Sequence, residues 1–190
     1  CDPDLQSEVL EQIDDELAPA LLEDKSATEI AGVLENVEDD DSTDILQQLP
    51  DTLTRQVLEA MDTQDRRRME NLLSYQEDTA AGLMNTDTIS VRPQVTVDVV
   101  LRYLRRHNEL PKTTDKIFVV NTNDVFIGLI PLTTLLVSKP SLSVYDIMIT
   151  EVQTIAHDLP EHDVAQIFER YDLVSAPVLD EGYRLLGRIT

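Results

Sequence analysis

A six-residue motif occurs three times at a constant interval of 24 residues in the first third of the chain. It reads VLEQID at residues 9–14, VLENVE at 33–38 and VLEAMD at 57–62. In each copy the apolar residues stand at positions i, i+1 and i+4, which lie on one face of a helix. Because a fixed period of this length is typical of units that stack on one another, the motif predicts a small helical solenoid.

An acidic or polar cluster follows each copy of the motif, at residues 14–16, 39–41 and 62–65. Side-chain oxygens at a helix start accept backbone N–H groups that have no partner inside the helix, and negative charge there favours the helix dipole. We therefore expect each cluster to cap the helix that follows it.

A second and longer repeat fills the rest of the chain. Leu83-Met84 matches Ile147-Met148, and Val100 matches Val164 at the same offset. The offset shortens after the polar connection at residues 108–116, and residues 125–130 then match residues 184–189.

Each copy of the longer repeat reads as strand, helix, strand, turn and strand. The predicted strands are residues 88–91, 116–120 and 126–130 in the first copy and 154–157, 176–179 and 185–189 in the second. The predicted turns are residues 121–124 and 180–182. The first copy continues through a helix at 132–137, whereas the second reaches Thr190 before an equivalent helix.

Charge is the next constraint. The chain has 37 acidic and 15 basic residues, a formal net charge of -22. Residues 1–82 hold 23 acids and 5 bases, a net -18, and residues 83–190 hold 14 acids and 10 bases, a net -4. This balance excludes a general nucleic-acid binder, disfavours an anionic lipid surface and attracts cations. The contrast between the halves indicates two domains.

The number of cysteines and the length of the longest apolar stretch indicate where in the cell the chain lies. The single Cys1 can form no internal disulfide, which fits a reducing cytoplasm. The longest apolar stretch, residues 125–137, contains Pro131 and is shorter than the roughly 20 residues that a membrane helix needs. Because the chain opens at Cys1 and its second repeat stops early, we expect it to be part of a longer protein.

The longer repeat, with its Leu-Met opening and its Gly-containing last hairpin, resembles a tandem pair of CBS domains. Together with the acidic helical module and the joining segment at residues 75–84, the whole chain resembles the cytosolic region of the MgtE family of magnesium channels. The fold class expected is a helical solenoid-like domain followed by a CBS pair of β-α-β-β-α repeats. The expected domains are 1–75 (acidic helical domain), 76–83 (linker), 84–140 (first CBS domain) and 141–190 (second CBS domain, truncated).

The resemblance implies a regulatory role for Mg²⁺, which in that family binds between the helical domain and the CBS pair and keeps the pore closed. Carried over position by position, the metal ligands are Glu8, Asp40 and Asp44 in the helical domain and Asp172 in the CBS pair. Glu169 matches a position that offers only its backbone carbonyl, so its carboxylate could add a ligand. Further acidic ligands of the family lie beyond Thr190.

Each of these acids also has a simpler interpretation. Asp40 and Asp44 share one helix face at a spacing of four, where two like charges are mildly destabilising unless a cation neutralises them. Residues 39–41 could instead only cap a helix. Glu8 could be a solvated surface acid, and Asp172 could make a local turn hydrogen bond between a helix and a strand.

Two other functions stay open. CBS pairs also bind nucleotides, through a Ser or Thr followed two residues later by Asp; here Thr133 and Thr134 stand after the last strand of the first repeat, with Thr134 in the place of that Asp. The other function is a helical adaptor for a protein partner. The residues show no catalytic constellation, phosphate-cradling Gly loop or zinc spacing, so we expect no enzyme.

The resemblance also implies partners. CBS pairs bury apolar sheet and helix surface against a second copy, so we expect a homodimer with an isologous interface. The chain's own transmembrane pore domain, absent from these 190 residues, is the other expected partner. The expected location is the cytoplasmic side of the cell membrane.

Overall fold

The computed structural model describes residue 22, residues 25–107 and residues 110–190. The chain divides into two compact units, a helical unit that ends at Leu83 and an α/β unit that begins at Met84. The first copy of the short motif, the acidic cluster at 14–16 and Glu8 lie outside the described residues.

Between residues 25 and 83 the helical unit has four helices, α1 (Ala27–Leu34), α2 (Asp39–Gln48), α3 (Asp51–Ala60) and α4 (Thr63–Leu72). The first residues of α1 and α3 are separated by the interval of the short motif, and so are those of α2 and α4. Each repeat is therefore a helix pair, and the equivalent helices α1 and α3 pack against each other. The predicted repeating helical fold is confirmed for the two described copies. The predicted position of the motif within one helix is wrong at its last apolar residue, because α1 ends at Leu34 and α3 at Ala60, before Val37 and Met61.

The apolar residues of the short motif form the core of this unit. Val33 and Val57 occupy the same motif position, and they are 3% and 0% exposed. Ile30, Leu46 and Leu72 are also fully buried. Because one helix pair cannot cover its own apolar face, the next pair covers it, and the repeat in sequence follows from that packing.

Helices α2 and α4 begin in different ways. The carboxylate of Asp62 caps α4, since its Oδ1 accepts the N–H groups of Gln64 at 2.6 Å and Asp65 at 3.1 Å. The residue before α2 is Glu38, which makes no side-chain cap hydrogen bond, and residues 39–41 lie inside the first turn. The capping role predicted for residues 39–41 is therefore wrong. Their charges still favour the helix dipole.

The α/β unit contains two copies of one arrangement. The first α/β repeat consists of β1 (Ser90–Val91), α5 (Val97–Leu104), β2 (Lys116–Val120), β3 (Phe126–Pro131) and α6 (Leu132–Val137). The second α/β repeat consists of α7 (Val144–Ile147), β4 (Ile155–Ala156), α8 (Glu161–Tyr171), β5 (Ala176–Leu179) and β6 (Leu185–Ile189).

Each repeat forms a three-stranded sheet, ordered β1-β2-β3 or β4-β5-β6. In both sheets the first pair of strands is parallel and the second antiparallel. The register shift of the antiparallel pair falls between Val119 and Val120 in one sheet and between Val178 and Leu179 in the other. The predicted strands are confirmed, although β1 and β4 are each shorter than expected by two positions.

The core of the first α/β repeat lies between its sheet and its helices. Its buried residues come from all of these elements, together with Ile89 just before β1 and the first residue of α7. They are Ile89, Val91, Val97, Val100, Leu104, Ile117, Val119, Ile130, Leu135 and Val144. Val164 of α8 occupies the position equivalent to Val100, and it is buried as well. The helical register predicted from the longer repeat is therefore confirmed.

The two repeats exchange their opening segments. Asn85, just before β1, pairs with Arg188 of β6, and Ile149, just after α7, pairs with Leu129 of β3. A Cβ atom on Gly187 would lie 2.5 Å from the backbone oxygen of Asn85. A Cβ atom on Gly128 would lie 2.5 Å from the backbone oxygen of Ile149. Only glycine permits this close backbone approach, so the exchange depends on both glycines.

The last hairpin of each repeat turns in the same way. In the first, Oδ1 of Asn121 accepts the N–H groups of Asn123 at 2.9 Å and Val125 at 3.1 Å. In the second, Oδ1 of Asp180 accepts the N–H groups of Gly182 and Arg184, both at 2.8 Å. Both turns were predicted, because Asn and Asp side chains bond to the backbone two residues on.

None of the helices in the described part of the chain is both long enough and apolar enough to cross a membrane.

The exchange of opening segments can be tested with two glycine variants. Gly187→Ala is expected to destabilise the α/β unit by about 1–3 kcal/mol, because the new methyl group meets backbone that cannot move aside. Gly32→Ala is the control, since a Cβ atom there meets nothing within 4 Å and lies in a helix. It should stabilise the helical unit by up to about 1 kcal/mol. Hydrogen exchange in urea, measured peptide by peptide, separates the two units; equal effects of both variants would contradict the expectation.

Candidate functional site

Asp40 and Asp44 lie on α2, at its second and sixth residues. Both side chains are half-buried. Residues four apart on a helix are neighbours on its surface, so the two carboxylates share one face. Oδ1 of Asp40 accepts the N–H of Asp41 at 2.9 Å. A carboxylate has about four lone-pair sites, so this hydrogen bond does not by itself exclude a cation.

The first turn of α2 is held by an arginine from α4. Asp39 is 7% exposed, and its Oδ1 lies 3.1 Å from Nε of Arg68. Nη2 of Arg68 lies 2.8 Å from Oδ1 of Asp65. Arg68 stands one repeat of the short motif after Asp44, so the repeat inverts the charge at this position. One guanidinium thus neutralises two acids and fixes the helix start next to Asp40.

The pKa values of the two acids at the start of α4 shift in opposite directions. Hydrogen bonds from the backbone N–H groups of Asp65 and Gln64 lower the pKa of Asp62. Burial raises the pKa of Asp65, and its hydrogen bond with Asp62 raises it further, while Arg68 lowers it. A group with a lowered pKa stabilises the fold above its unfolded pKa and loses that contribution as pH falls. Lowering the pH therefore weakens the cap of α4, because Asp62 becomes protonated. It also removes the cost of burying a charged Asp65.

Glu169 and Asp172 lie at the end of α8, and both are exposed. Asp172 ends the helix in the left-handed conformation, with φ 50° and ψ 50°, and its N–H donates to the carbonyl of Phe168. The next N–H, of Leu173, bonds to the same carbonyl at 3.1 Å. The local role of Asp172 is therefore to close the helix through its backbone, and its carboxylate projects from an exposed helix end.

Polar contacts behind Asp172 join the two α/β repeats. Nζ of Lys116 donates to the carbonyl of Ser175 at 2.7 Å, and the hydroxyl of Ser175 donates to Oδ1 of Asp115 at 2.6 Å. Lys116 and Asp115 also form an ion pair at 2.9 Å. Ser175 is 3% exposed and stands three residues after Asp172. The first repeat therefore anchors the segment that follows Asp172.

Arg188 makes the second set of contacts between the repeats. Its side chain is 5% exposed and lies 3.3 Å from Oδ1 of Asp87. It donates to Oγ1 of Thr113 at 3.1 Å and to the carbonyl of Lys112 at 2.7 Å. Sequence reasoning missed Arg188, Lys116 and Arg68 alike. One signal in the sequence could have pointed to them. Each is a basic residue at a position where the other copy of its repeat has an apolar, polar or acidic residue.

The nominated metal ligands in the described part of the chain belong to two different units. Asp40 and Asp44 belong to the helical unit, and Glu169 and Asp172 belong to the α/β unit. Among residues 22, 25–107 and 110–190, no three His, Cys, Asp or Glu side chains form a group that could hold a metal ion. The donor chemistry nevertheless fits Mg²⁺, which is usually held by one or two carboxylates and keeps several of its waters.

The nucleotide candidates lie at the start of α6. Thr133 is exposed and Thr134 is half-buried. The carbonyl of Thr134 accepts the hydroxyl of Ser138 at 2.7 Å. Neither side chain can supply the charged, two-acceptor grip of a carboxylate.

Comparison with known proteins identifies both units. Residues 1–78 match the model of the MgtE intracellular N domain, and residues 80–139 and 144–190 match the CBS domain. The magnesium transporter MgtE of Thermus thermophilus is 36% identical over 130 residues, which are 68% of this chain and 29% of that protein. A crystal structure of the cytosolic domain of the Mg²⁺ channel MgtE in complex with ATP is 32% identical with a TM-score of 0.89. The alignment covers 97% of this chain and 75% of that domain.

The chain belongs to the MgtE family. Its fold is the helical N domain followed by a tandem CBS pair, as the sequence predicted. The magnesium transporter MgtE of Bacillus subtilis is 22% identical over 184 residues, 97% of this chain and 41% of that protein. A crystal structure of the soluble part of a magnesium transporter has the same fold, with a TM-score of 0.93 at 24% identity. The chain thus spans less than half the length of these MgtE transporters. Neither matched family is a family of enzymes.

The left-handed conformation of Asp172 at the end of α8 can be tested by substitution. Asn occupies the left-handed region more readily than Ala, because its side chain can bond to the nearby backbone. Asp172→Asn is therefore expected to keep the stability of the chain, while Asp172→Ala costs about 1 kcal/mol. Thermal unfolding compares the two variants. Equal losses for both would show that the carboxylate, and not the backbone conformation, matters at this position.

Proposed function

We propose that this chain is the cytosolic magnesium-sensing region of a magnesium channel or transporter. In this proposal, Mg²⁺ bound between carboxylates of the helical unit and of the CBS pair stabilises the closed state, so that uptake falls as internal Mg²⁺ rises. The observation that carries the proposal is the pair Asp40 and Asp44, half-buried on one helix face in a segment of net charge -18.

The physical basis is the cost of like charge. Two carboxylates at a spacing of four repel each other, and so do two acidic surfaces that approach closely. A hard divalent cation removes that cost, and carboxylate oxygens are the ligands that Mg²⁺ prefers. The ion shifts the equilibrium only by its difference in affinity between the two arrangements. Glu8 and Glu169 are proposed as additional ligands beside Asp172.

The proposed partners follow from the same mechanism. A CBS pair that dimerises through a twofold interface would bring two helical units, each strongly acidic, to one assembly, and Mg²⁺ would act on both. The response would pass to a transmembrane pore domain of the same protein, with this region on the cytoplasmic side of the membrane. Its role is regulatory and not catalytic.

Small-angle X-ray scattering tests the sensor. The radius of gyration of the chain is expected to fall when millimolar Mg²⁺ replaces chelator, and the forward intensity reports whether the particle is a dimer. Asp40→Asn, Asp44→Asn and Asp172→Asn are each expected to raise the Mg²⁺ concentration at the midpoint by about tenfold, through loss of one ligand.

Two control variants remove one negative charge each at exposed positions outside the nominated set, Glu59→Gln in the helical unit and Glu151→Gln in the α/β unit. These are expected to move the midpoint by less than about twofold, since exposed charges are screened by salt. A radius that is the same in chelator and in excess Mg²⁺ would rule out the sensor. Equal shifts in controls and nominated variants would replace specific binding with a general charge effect.

A second candidate function is nucleotide binding by the CBS pair. It is favoured by the ATP complex of the cytosolic domain that shares 32% identity with this chain. Against it stands Thr134, which occupies the place where nucleotide-binding CBS domains carry an Asp. A regulator of this kind would respond to ATP whether or not Mg²⁺ changes the arrangement of its domains.

Calorimetry with ATP distinguishes this second function. If Thr134 weakens the ribose contact, Thr134→Asp is expected to tighten ATP binding by about tenfold, because a carboxylate accepts hydrogen bonds from both ribose hydroxyls. Thr133→Ala serves as the matched control on the exposed neighbour. No heat of binding for either the native chain or Thr134→Asp would exclude a nucleotide site at this position.

A further inference from the structure

The two α/β repeats differ in chemistry at one place where their backbones coincide. Val91 pairs with Val119, and Ile155 pairs with Val178, in the same register of the same parallel ladder. The next residues, Arg92 and Ala156, are therefore equivalent. Each stands beside the hairpin turn of its own repeat, so any difference between the two places comes from their side chains.

In the first repeat the guanidinium of Arg92 lies over the hairpin turn. One of its nitrogens donates to the carbonyl of Asn121. The other, Nη2, lies 2.8 Å from Oδ1 of Asp124. The turn thus binds a guanidinium through one backbone carbonyl and one carboxylate, which matches the fork of donors that arginine presents.

In the second repeat the same place is a cavity of about 300 Å³. Ala156 has no polar side chain to fill it. The lining residues come from β4, from the end of β5 and from the turn: Thr154, Ile155, Ala156, His157, Asp158, Leu179, Asp180, Glu181 and Tyr183. Its volume is at the lower end of small-molecule sites.

The backbone acceptor of the first repeat is reproduced at this cavity. The carbonyl of Asn121 accepts the N–H of Asp124 at 3.0 Å, and the carbonyl of Asp180 accepts the N–H of Tyr183 at 3.0 Å. Asp124 and Tyr183 have φ angles of 61° and 60°. The turns therefore have the same shape. A carbonyl oxygen has two lone pairs. The carbonyl of Asn121 therefore accepts from both the N–H of Asp124 and the guanidinium of Arg92.

We propose that this cavity binds a small organic cation with a guanidinium group, supplied from outside the CBS pair. The cation takes the place that Arg92 fills in the first repeat. The carbonyl of Asp180 accepts one N–H of the guanidinium, and the carboxylates at positions 158 and 181 supply the charge that Asp124 supplies in the first repeat. The ring of Tyr183 offers an aromatic face for the planar cation.

The lining favours a guanidinium over a metal ion. Ile155, Ala156 and Leu179 make part of the wall apolar. A guanidinium is weakly hydrated and stacks on apolar and aromatic surface, whereas Mg²⁺ keeps its waters and needs oxygen ligands around it. The proposal is independent of the magnesium sensor, because none of the nominated metal ligands lines this cavity.

Agmatine, which carries a guanidinium at one end, is the probe. Titration of the 190-residue chain is expected to show saturable binding of one agmatine per chain by calorimetry, with NMR shifts at Ala156 and Gly182. Putrescine has the same charge type without the guanidinium fork, and it is expected to bind at least about tenfold more weakly. No saturable agmatine binding would overturn the proposal.

Exchanging the two equivalent residues gives the sharpest test. Ala156→Arg places a guanidinium in the cavity and is expected to abolish agmatine binding. Arg92→Ala opens the equivalent place in the first repeat, and a second agmatine should then bind per chain. Binding that survives Ala156→Arg with unchanged affinity would place the ligand elsewhere.

A third variant decides the question if Ala156→Arg does not fold. Glu181→Gln removes one of the two carboxylates that supply charge to the cation, and it should keep the turn, because the side-chain hydrogen bonds of the turn come from Asp180. Agmatine affinity is expected to fall by about tenfold. Unchanged affinity, or displacement of agmatine by Mg²⁺ and putrescine with equal strength, would reduce the cavity to a general acidic surface and refute a guanidinium site.

Discussion

Close backbone contact between the two α/β repeats is the constraint on which this half of the molecule depends. Each repeat completes the other, since residues just before β1 pair with β6 and residues just after α7 pair with β3. The pairing brings backbone oxygens so near to Gly128 and Gly187 that no side chain fits. A third contact joins the hairpins, where Val125 pairs with Arg184. Residues from Met84 onward form one compact unit for this reason.

Charge imposes a different constraint on the helical unit. Its acids must be distributed so that apolar packing between repeats is not overcome by repulsion. Two of them, Asp39 and Asp65, share the guanidinium of Arg68, and Asp62 is used as a helix cap. The first turn of α2, which carries Asp40, is therefore joined to α4 by an ion pair.

Much of the fold could be predicted because the chain repeats itself. The constant interval of the short motif predicted helices that recur at that interval, and the two offsets of the longer repeat located the strands to within two positions. The two turns at Asn121 and Asp180 could also be predicted, because their side-chain hydrogen bonds are to backbone groups two to four residues away. The role of residues 39–41 was mistaken, because the difference between a cap and a first turn is one residue of backbone conformation at Glu38. Cation binding at Asp40, Asp44 and Asp172 stays a prediction.

Local periodicity and local hydrogen bonding were determined by the sequence itself, since both involve residues a few positions apart. Long-range partners were decided only by the tertiary structure. Arg188 reaches Asp87 across about a hundred positions, Lys116 reaches Ser175, and Arg68 reaches Asp39. The contact of Arg92 with the turn at Asn121 was also decided only by folding. The equivalent turn in the second repeat has the same backbone, but Ala156 leaves a cavity beside it. A pattern along the chain records which face of an element is apolar, but a polar partner depends on where two distant segments meet.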